Sequence, residues 1–147
     1  MIRGWVLAAL ALGALVVGLP WIAYGVGLAN LDGRPMRAPI RKLDAEQQEF
    51  LHVAMRKAGV LDVPQLTPWD YVLDTIRDPD KLASGGFEAA TIVAQNYARS
   101  HVRYKGPHAE RLSETALAVW LTQSWSTDEI LATAYEIVSK RGLRLGR

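Results

Sequence analysis

The chain has 147 residues, 50% of them hydrophobic, which suffices for one compact domain and is too little for two sizeable ones. Its formal net charge is only +2 and its basic residues are dispersed, so no nucleic-acid partner is indicated. It contains no cysteine, which excludes disulfide bonds and thiolate metal sites.

Residues 1–31 form a candidate membrane anchor. After the third residue this segment carries no charge, and roughly 20 apolar residues suffice to cross a bilayer. Trp5, Trp21 and Tyr24 are placed as aromatic anchors at or near the membrane surfaces. The alternative is a cleaved signal peptide, but its apolar core usually has roughly 7 to 15 residues and a small-residue cleavage site follows it. Neither property is found here, so we predict an uncleaved transmembrane helix.

Residues 32–43 are predicted to form a juxtamembrane linker. One glycine, two prolines and four basic side chains resist regular structure and suit the headgroup zone, although a solvated spacer is the simplest role. The basic residues are Arg34, Arg37, Arg41 and Lys42. Counted against Arg3 and the amino terminus on the other side, these charges would keep the following domain in the cytoplasm.

Sequence signals mark where the first two helices after the linker begin and end. Asp44 and Gln47 open the first helix, and Gly59 is placed to close it. Thr67 is the N-cap of the second, because a first-turn proline and an acidic third residue follow it. This helix is predicted to run to about Asp78.

The third and fourth helices are predicted from apolar spacing. The third follows the glycine pair Gly85 and Gly86 and is broken between Arg103 and Pro107. The fourth helix has an apolar stripe, with Glu114 near the edge of its buried side. The stripe consists of Leu112, Ala116, Val119 and Trp120.

Residue patterns typical of helix termini mark both ends of the last helix. Ser126 and Glu129 form a capping box, and Trp125 with Ile130 forms a hydrophobic staple. Two basic residues before Gly142 suit the carboxyl end of the helix dipole.

The region 44–147 is therefore predicted to be all-α, a small helical bundle on a membrane stalk. No strand-length run of alternating apolar and polar residues competes with the helices. The histidines His52, His101 and His108 include no pair spaced four apart, which argues against metal ligation by histidine. A P-loop and a G-x-S-x-G elbow are also missing from the sequence, which removes several enzyme classes.

The segment 88–138 resembles the second half of the family-51 peptidoglycan glycosyltransferases, the lysozyme-like domain of class A penicillin-binding proteins and monofunctional transglycosylases. That family has a Gly-Gly-Ser-Thr-x-Thr-Gln-Gln helix start, then an Arg-Lys-x-x-Glu-Ala helix, then a Ser-Lys-x-x-Ile-Leu helix start. Without any gap, the residues of this chain that fall on the three motifs are Thr91, Ile92 and Gln95, then Arg111 and Glu114, then Ser126, Ile130 and Leu131.

The resemblance implies a lysozyme-like transglycosylase domain at residues 44–147. It implies Glu114 as a catalytic residue, with Thr91, Gln95 and Arg111 binding substrate. The implied partners are the lipid-linked disaccharide precursor of peptidoglycan, the membrane and other cell-wall synthesis proteins, with Mg²⁺ as cofactor. The protein would be a single-pass protein of the inner (plasma) membrane with its domain in the periplasm or outside the cell, which opposes the charge count.

The sequence also departs from the family pattern. Glu88 and Ala89 replace the two motif glycines in the ungapped register, and Glu110 replaces an arginine. The family has a Glu-Asp-x-x-Phe motif that carries the catalytic base, and Met55 and Arg56 stand at about its place.

This departure leaves enzymatic turnover open. Glycosyl transfer from a lipid diphosphate needs a carboxylate that accepts the hydroxyl proton and cations that neutralise the leaving phosphates. General-base assistance is worth roughly 10² to 10⁴ in rate. Other acids that could replace the base are Glu46, Glu49 and Asp62. Further cations that could bind phosphate are Arg99, Arg103 and Lys105.

Each candidate residue has a structural alternative. Glu114 could pair with Arg111 on the helix surface, an interaction worth tenths of a kcal/mol. Thr91 and Gln95 could be polar positions beside a core helix. Three functions therefore remain: a reduced glycosyltransferase, a degenerate relative that binds glycan, or a helical scaffold that docks another membrane protein. A cleft lined by the candidate residues would argue against the scaffold.

Overall fold

The computed structural model describes residues 2–37, 39, 41–55, 61–82 and 85–145. In this part of the chain the regular elements are all helices, accompanied by one isolated antiparallel bridge between Leu31 and Val102. The helices are α1 (Ile2–Ala29), α2 (Ala45–Met55), α3 (Pro68–Arg77), α4 (Pro79–Leu82), α5 (Gly85–His101), α6 (Pro107–Ser124) and α7 (Thr127–Leu145). The all-α prediction is confirmed.

Helix α1 is long and apolar enough to cross a membrane, judged by length and composition. Its segment Leu12–Ala29 has a mean hydropathy of 1.8, and only 6% of it is buried within the protein. Large apolar side chains are therefore exposed along it: Leu12, Leu15, Val16, Val17, Leu19, Trp21, Ile22 and Val26. Pro20 lies inside the helix without ending it.

The carboxyl end of α1 is part of the helical domain. Gly27 is buried where α1 crosses α6, against the main chain at Leu112. Directly after the helix, the buried Asn30 amide donates to the Ser113 hydroxyl (3.0 Å) and the Tyr104 carbonyl (3.3 Å). Its Oδ1 accepts from the Tyr104 N–H at 2.8 Å. The candidate anchor is thus fixed to the domain by packing and hydrogen bonds.

The predicted linker contains no helix among its described residues and lies along the domain. Arg34 donates to the Leu28 carbonyl (3.1 Å), and its guanidinium lies 5.9 Å from the centre of the Trp120 ring. Arg37 donates to the Ser124 carbonyl at 2.6 Å. Two of the four linker cations therefore hold the chain against the protein.

Three predicted helix starts are confirmed by their hydrogen bonds, whereas α5 begins at Gly85 and so includes the glycine pair that was predicted to precede it. At α3, the Thr67 N–H donates to the Asp70 carboxylate (2.9 Å) and the Asp70 N–H donates to the Thr67 hydroxyl (3.1 Å). At α7, Ser126 and Glu129 make the same reciprocal pair at 2.7 and 3.3 Å. The predicted residues at the start of α2 do likewise.

One predicted helix end is wrong. Helix α7 continues through Gly142 to Leu145. A glycine inside a helix costs only about 1 kcal/mol, which neighbouring contacts can offset. One such contact is the bond that Arg141 donates to Asn96 of α5, at 3.2 Å. The predicted end at Gly59 lies outside the described residues, and the single-turn helix α4 was not predicted.

Helix α5 lies at the centre of the domain and packs against both α6 and α7. Its buried side consists mostly of small residues, which lets the helices approach closely. These residues include Ala89, Ala90, Ala94 and Ala98. Larger fully buried side chains from the helices around α5 include Leu51, Leu117, Leu121 and Ile130. The α5–α6 contact also fixes the relative position of the candidate site residues.

Candidate functional site

A cavity of about 330 Å³ lies between α3, α5 and α6; we call it the α5–α6 cavity. Its lining residues are Tyr71, Phe87, Thr91, Gln95, Arg111, Glu114 and Thr115. The structure thus brings together all four residues that the sequence singled out, two from each of two helices.

Helical spacing positions each pair of these residues. Thr91 and Gln95 are one turn apart on α5, and Arg111 and Glu114 are three residues apart on α6, so each pair shares a helix face. The packing of α5 on α6 turns the two faces toward a common space. All four side chains stay partly or fully exposed, which keeps them accessible to a ligand.

Most of the candidate polar groups of the cavity form no hydrogen bond or ion pair within the described residues. The Thr91 hydroxyl donates to the Phe87 carbonyl at 3.0 Å, so only its lone pairs are available to a ligand. Within the described residues, Gln95, Arg111 and Glu114 make no hydrogen bond or ion pair. The helix-surface pair between Arg111 and Glu114 is therefore not formed. An amide, a guanidinium and a carboxylate are therefore available to bind a ligand.

The wall formed by α3 and the start of α5 is aromatic. The rings of Tyr71 and Phe87 lie 5.8 Å apart, centre to centre, with planes inclined by 41°. Neither ring was predicted from the sequence to line the site, so their role as a cavity wall was missed. Only the contact between Tyr71 on α3 and Phe87 on α5 shows it, because no local spacing relates the two positions.

No second carboxylate is among the described residues that line this cavity. Met55, at the place of the family's catalytic base, is buried in the core with 4% exposure. Its neighbour Arg56 lies outside the described residues. The other acids considered are exposed on α2 or in the segment before α3, and none lines the cavity: Glu46, Glu49 and Asp62. Glu114 is thus the one acidic group that the described lining provides.

A smaller cavity of about 170 Å³ lies beside the first, and Glu114 borders both. Arg99 and Lys105 line it, which adds two cations near the candidate site. Glu110 also lines it and accepts from the Gly106 N–H at 3.3 Å, at the start of α6. The third candidate cation, Arg103, instead pairs with Asp32 at 3.2 Å.

The glycine pair at the start of α5 serves a close approach of two chain segments. Gly85 and Gly86 are both buried. A Cβ at Gly86 would collide with the carbonyl of Asp62 and come within 2.9 Å of the Val63 Cα. The pair therefore allows the segment before α3 to pass close to the start of α5.

The described residues do not fit a magnesium site built by the protein alone. They include no group of three or more His, Asp or Glu side chains close enough to share a metal ion. Mg²⁺ prefers an octahedron of oxygen ligands, usually with one or two carboxylates. The cavity offers only Glu114, with a guanidinium on the same helix face.

No family model matches this chain, and it matches none of the curated proteins or solved structures. The resemblance to the family-51 glycosyltransferases and the residue roles that it implies therefore stay predictions.

Proposed function

We propose that this protein is a membrane-anchored, lysozyme-like relative of the family-51 glycosyltransferases that binds the lipid-linked disaccharide precursor of peptidoglycan. The observation that supports it is the convergence of Thr91, Gln95, Arg111 and Glu114 on the α5–α6 cavity. These residues were chosen from motif positions on two separate helices. A chance resemblance would give no reason for them to line one space.

The chemistry of the cavity suits a sugar diphosphate. The Arg111 guanidinium supplies paired donors for phosphate oxygens, while the Gln95 amide and the Thr91 lone pairs suit sugar hydroxyls. The partly exposed ring of Tyr71 offers an apolar face to a sugar ring, and the buried Phe87 ring packs against it. A volume of about 330 Å³ is near the lower limit of ligand pockets, so the cavity accepts one part of the head of the precursor.

Binding without efficient transfer is the activity that this cavity supports best. Glu114 is the one carboxylate among the described lining residues, and it lies on the same helix face as Arg111. A carboxylate placed beside the phosphates is poorly placed to accept a proton from the hydroxyl that attacks on the far side of the sugar. Loss of general-base help lowers the rate by roughly 10² to 10⁴.

In this proposal α1 is an uncleaved anchor in the plasma membrane, and the domain faces the periplasm or the cell exterior. The packing of α1 supports retention of the helix, since its removal would expose the α6 surface at Leu112 and Ala116, which Gly27 covers. Arg34 and Arg37 oppose this orientation in the charge count, but both bind main-chain carbonyls of the protein. Other cell-wall synthesis proteins of the same membrane are the proposed protein partners.

The test is binding of labelled lipid-linked disaccharide to the full-length protein in lipid nanodiscs. We expect saturable binding that falls about tenfold or more in Arg111→Gln, because a charge-assisted hydrogen bond is worth about 1.5–3 kcal/mol. The matched control is Arg77→Gln, an exposed arginine at the end of α3, which should bind as the unmodified protein does.

The same samples, supplied with Mg²⁺, distinguish the alternatives. Glycan polymer that disappears in Glu114→Gln would show an active glycosyltransferase and contradict binding without transfer. Absence of binding by the folded protein would contradict the proposal altogether and favour the scaffold.

A further inference from the structure

Helix α3 contacts α1 well before the end of the apolar helix. The indole N–H of Trp69 donates to the main-chain carbonyl of Val17, at 2.9 Å. Val17 lies inside the segment Leu12–Ala29, whose length and composition suit a membrane span. The helical domain therefore reaches alongside the segment that is proposed to enter the membrane.

The lengths of the helix and the bilayer locate the membrane surface. Helix α1 has 28 residues, so it is about 42 Å long. The hydrocarbon core is about 30 Å thick and takes about 20 residues. The stretch from Val17 to Ala29 is about 18 Å long. If all of Leu12–Ala29 lay in hydrocarbon, α3 with its charged residues would be submerged beside it.

A span over the first 20 or so residues removes this conflict. The bilayer surface then crosses α1 near Trp21, which is 49% exposed and packs edge-on against Tyr24 with ring centres 6.2 Å apart. Aromatic rings of this kind favour the membrane interface. The last turns of α1, from Gly27 onward, are then free to pack against α6 above the membrane.

Helix α3 carries an apolar stripe at this level. The stripe consists of Trp69, Val72, Leu73 and Ile76, which recur at positions i, i+3, i+4 and i+7. None of these side chains is fully buried, and Ile76 is 75% exposed. The opposite side of the helix carries Tyr71, which packs on Phe87. The apolar stripe therefore points away from the core, beside α1.

We propose that α3 is a second membrane contact, with the stripe inserted into the headgroup and upper acyl region of the leaflet that α1 crosses near Trp21. Amphipathic helices of this kind lie in the membrane plane with their apolar side about 5–10 Å into that boundary. Because Tyr71 of the same helix lines the α5–α6 cavity, the cavity then lies directly above the headgroups. The inference rests on the proposed membrane anchoring by α1 and does not depend on glycan binding.

The chain has no cysteine, so single cysteines can be labelled selectively with an environment-sensitive fluorophore. We would label full-length Ile76→Cys and Thr75→Cys in phosphatidylethanolamine–phosphatidylglycerol vesicles that contain lipids spin-labelled near the top of the acyl chain. Both positions are exposed neighbours on α3, and only position 76 belongs to the stripe. The expected result is several-fold stronger quenching at position 76 than at position 75.

Equal quenching at the two positions would overturn the proposal. A blue-shifted label at position 76 that lipid spin labels do not quench would also overturn it, because a protein partner would then cover the stripe. A third label at Leu15→Cys, on the exposed part of α1, separates this failure from failure of the anchor. Quenching at position 15 without quenching at position 76 refutes only the α3 contact, and absence at both refutes the membrane anchoring itself.

Discussion

Gly27 passes α6 so closely that a Cβ at position 27 would lie 2.6 Å from the Leu112 carbonyl oxygen and 2.7 Å from the Ala116 Cβ. Gly27→Ala must push the end of α1 away from α6. Overpacking of this kind costs about 1–3 kcal/mol. We expect that loss in the free energy of unfolding, measured by chemical denaturation of the full-length protein in detergent micelles.

Gly25 supplies the matched control for this prediction. A Cβ at position 25 would meet nothing within 4 Å, and the residue lies on the same helix. Gly25→Ala should therefore be neutral or slightly stabilising, since alanine is favoured over glycine inside a helix by up to about 1 kcal/mol. Equal effects of the two substitutions would show that α1 does not pack on α6 as described.

Asn30 makes a second test of the junction between α1 and the domain. Asn30→Ala removes two donor bonds and one acceptor bond, and leaves polar groups of Ser113 and Tyr104 without that partner. A buried polar group that loses its partner costs about 1–3 kcal/mol. We expect a loss of that size in the same unfolding measurement. Asn96→Ala, at an exposed asparagine of α5 that accepts one exposed hydrogen bond from Arg141, should lose much less, and an equal loss would refute the role of the Asn30 amide.

The start of α7 and the bonds of Asn30 show which features of the fold can be predicted from the sequence and which cannot. The start of α7 was predicted because Ser126 and Glu129 are three residues apart and their bonds are local. Asn30 was missed because its partners lie 74 and 83 positions away. No local pattern distinguishes such an asparagine from any other residue that ends an apolar helix.

The candidate site, too, could be predicted from the sequence only in part. The pairs Thr91–Gln95 and Arg111–Glu114 follow from helical spacing and from motif positions. Their convergence on one cavity depends on how α5 packs against α6, and the Tyr71 wall depends on where α3 docks. Gly142 illustrates the converse, because α7 continues through a residue that local rules take as an end.

Glu129 makes stability depend on pH. The Ser126 N–H bond to its carboxylate holds the pKa of Glu129 below its usual value, with smaller contributions from the Ser126 hydroxyl and the charge of Arg37, while burial acts in the opposite direction. A lowered native pKa stabilises the fold fully above the pKa of the unfolded chain, and this stabilisation is lost as pH falls through the native pKa. Unfolding free energies between about pH 7 and about pH 3 should therefore fall less steeply in Glu129→Gln, since glutamine keeps the capping geometry without titrating.

The control for this pH dependence is Glu136→Gln on the same helix. The Glu136 side chain is 64% exposed and lies 3.8 Å from Lys140, so its removal should leave the slope with pH nearly unchanged. A Glu129→Gln profile that follows the unmodified protein would show that the carboxylate does not stabilise the start of α7.

The orientation of the domain is open to a direct test. We expect a carboxyl-terminal alkaline phosphatase fusion to be active and a carboxyl-terminal green fluorescent protein fusion, exported unfolded, to be dark. A fluorescent fusion with inactive phosphatase would place the domain in the cytoplasm and contradict the orientation proposed for precursor binding. Arg41→Gln with Lys42→Gln should strengthen the expected result, because these substitutions remove linker cations that favour a cytoplasmic domain.

The effect of Glu114→Gln on precursor binding and on polymer formation distinguishes a binding protein from an active transferase. In the proposed binding protein, Glu114 is a negative charge on the same wall as Arg111, and it repels the phosphates of the ligand. Two unit charges about 6 Å apart in water interact by about 0.7 kcal/mol, so Glu114→Gln should tighten precursor binding about threefold. The gain should shrink as salt is added, because ions screen exposed charges.

In an active transferase, Glu114→Gln would leave precursor binding similar and abolish polymer. Weaker binding without any polymer would mean that the carboxylate holds a sugar hydroxyl, and that hydrogen bond would then outweigh the repulsion of the phosphates.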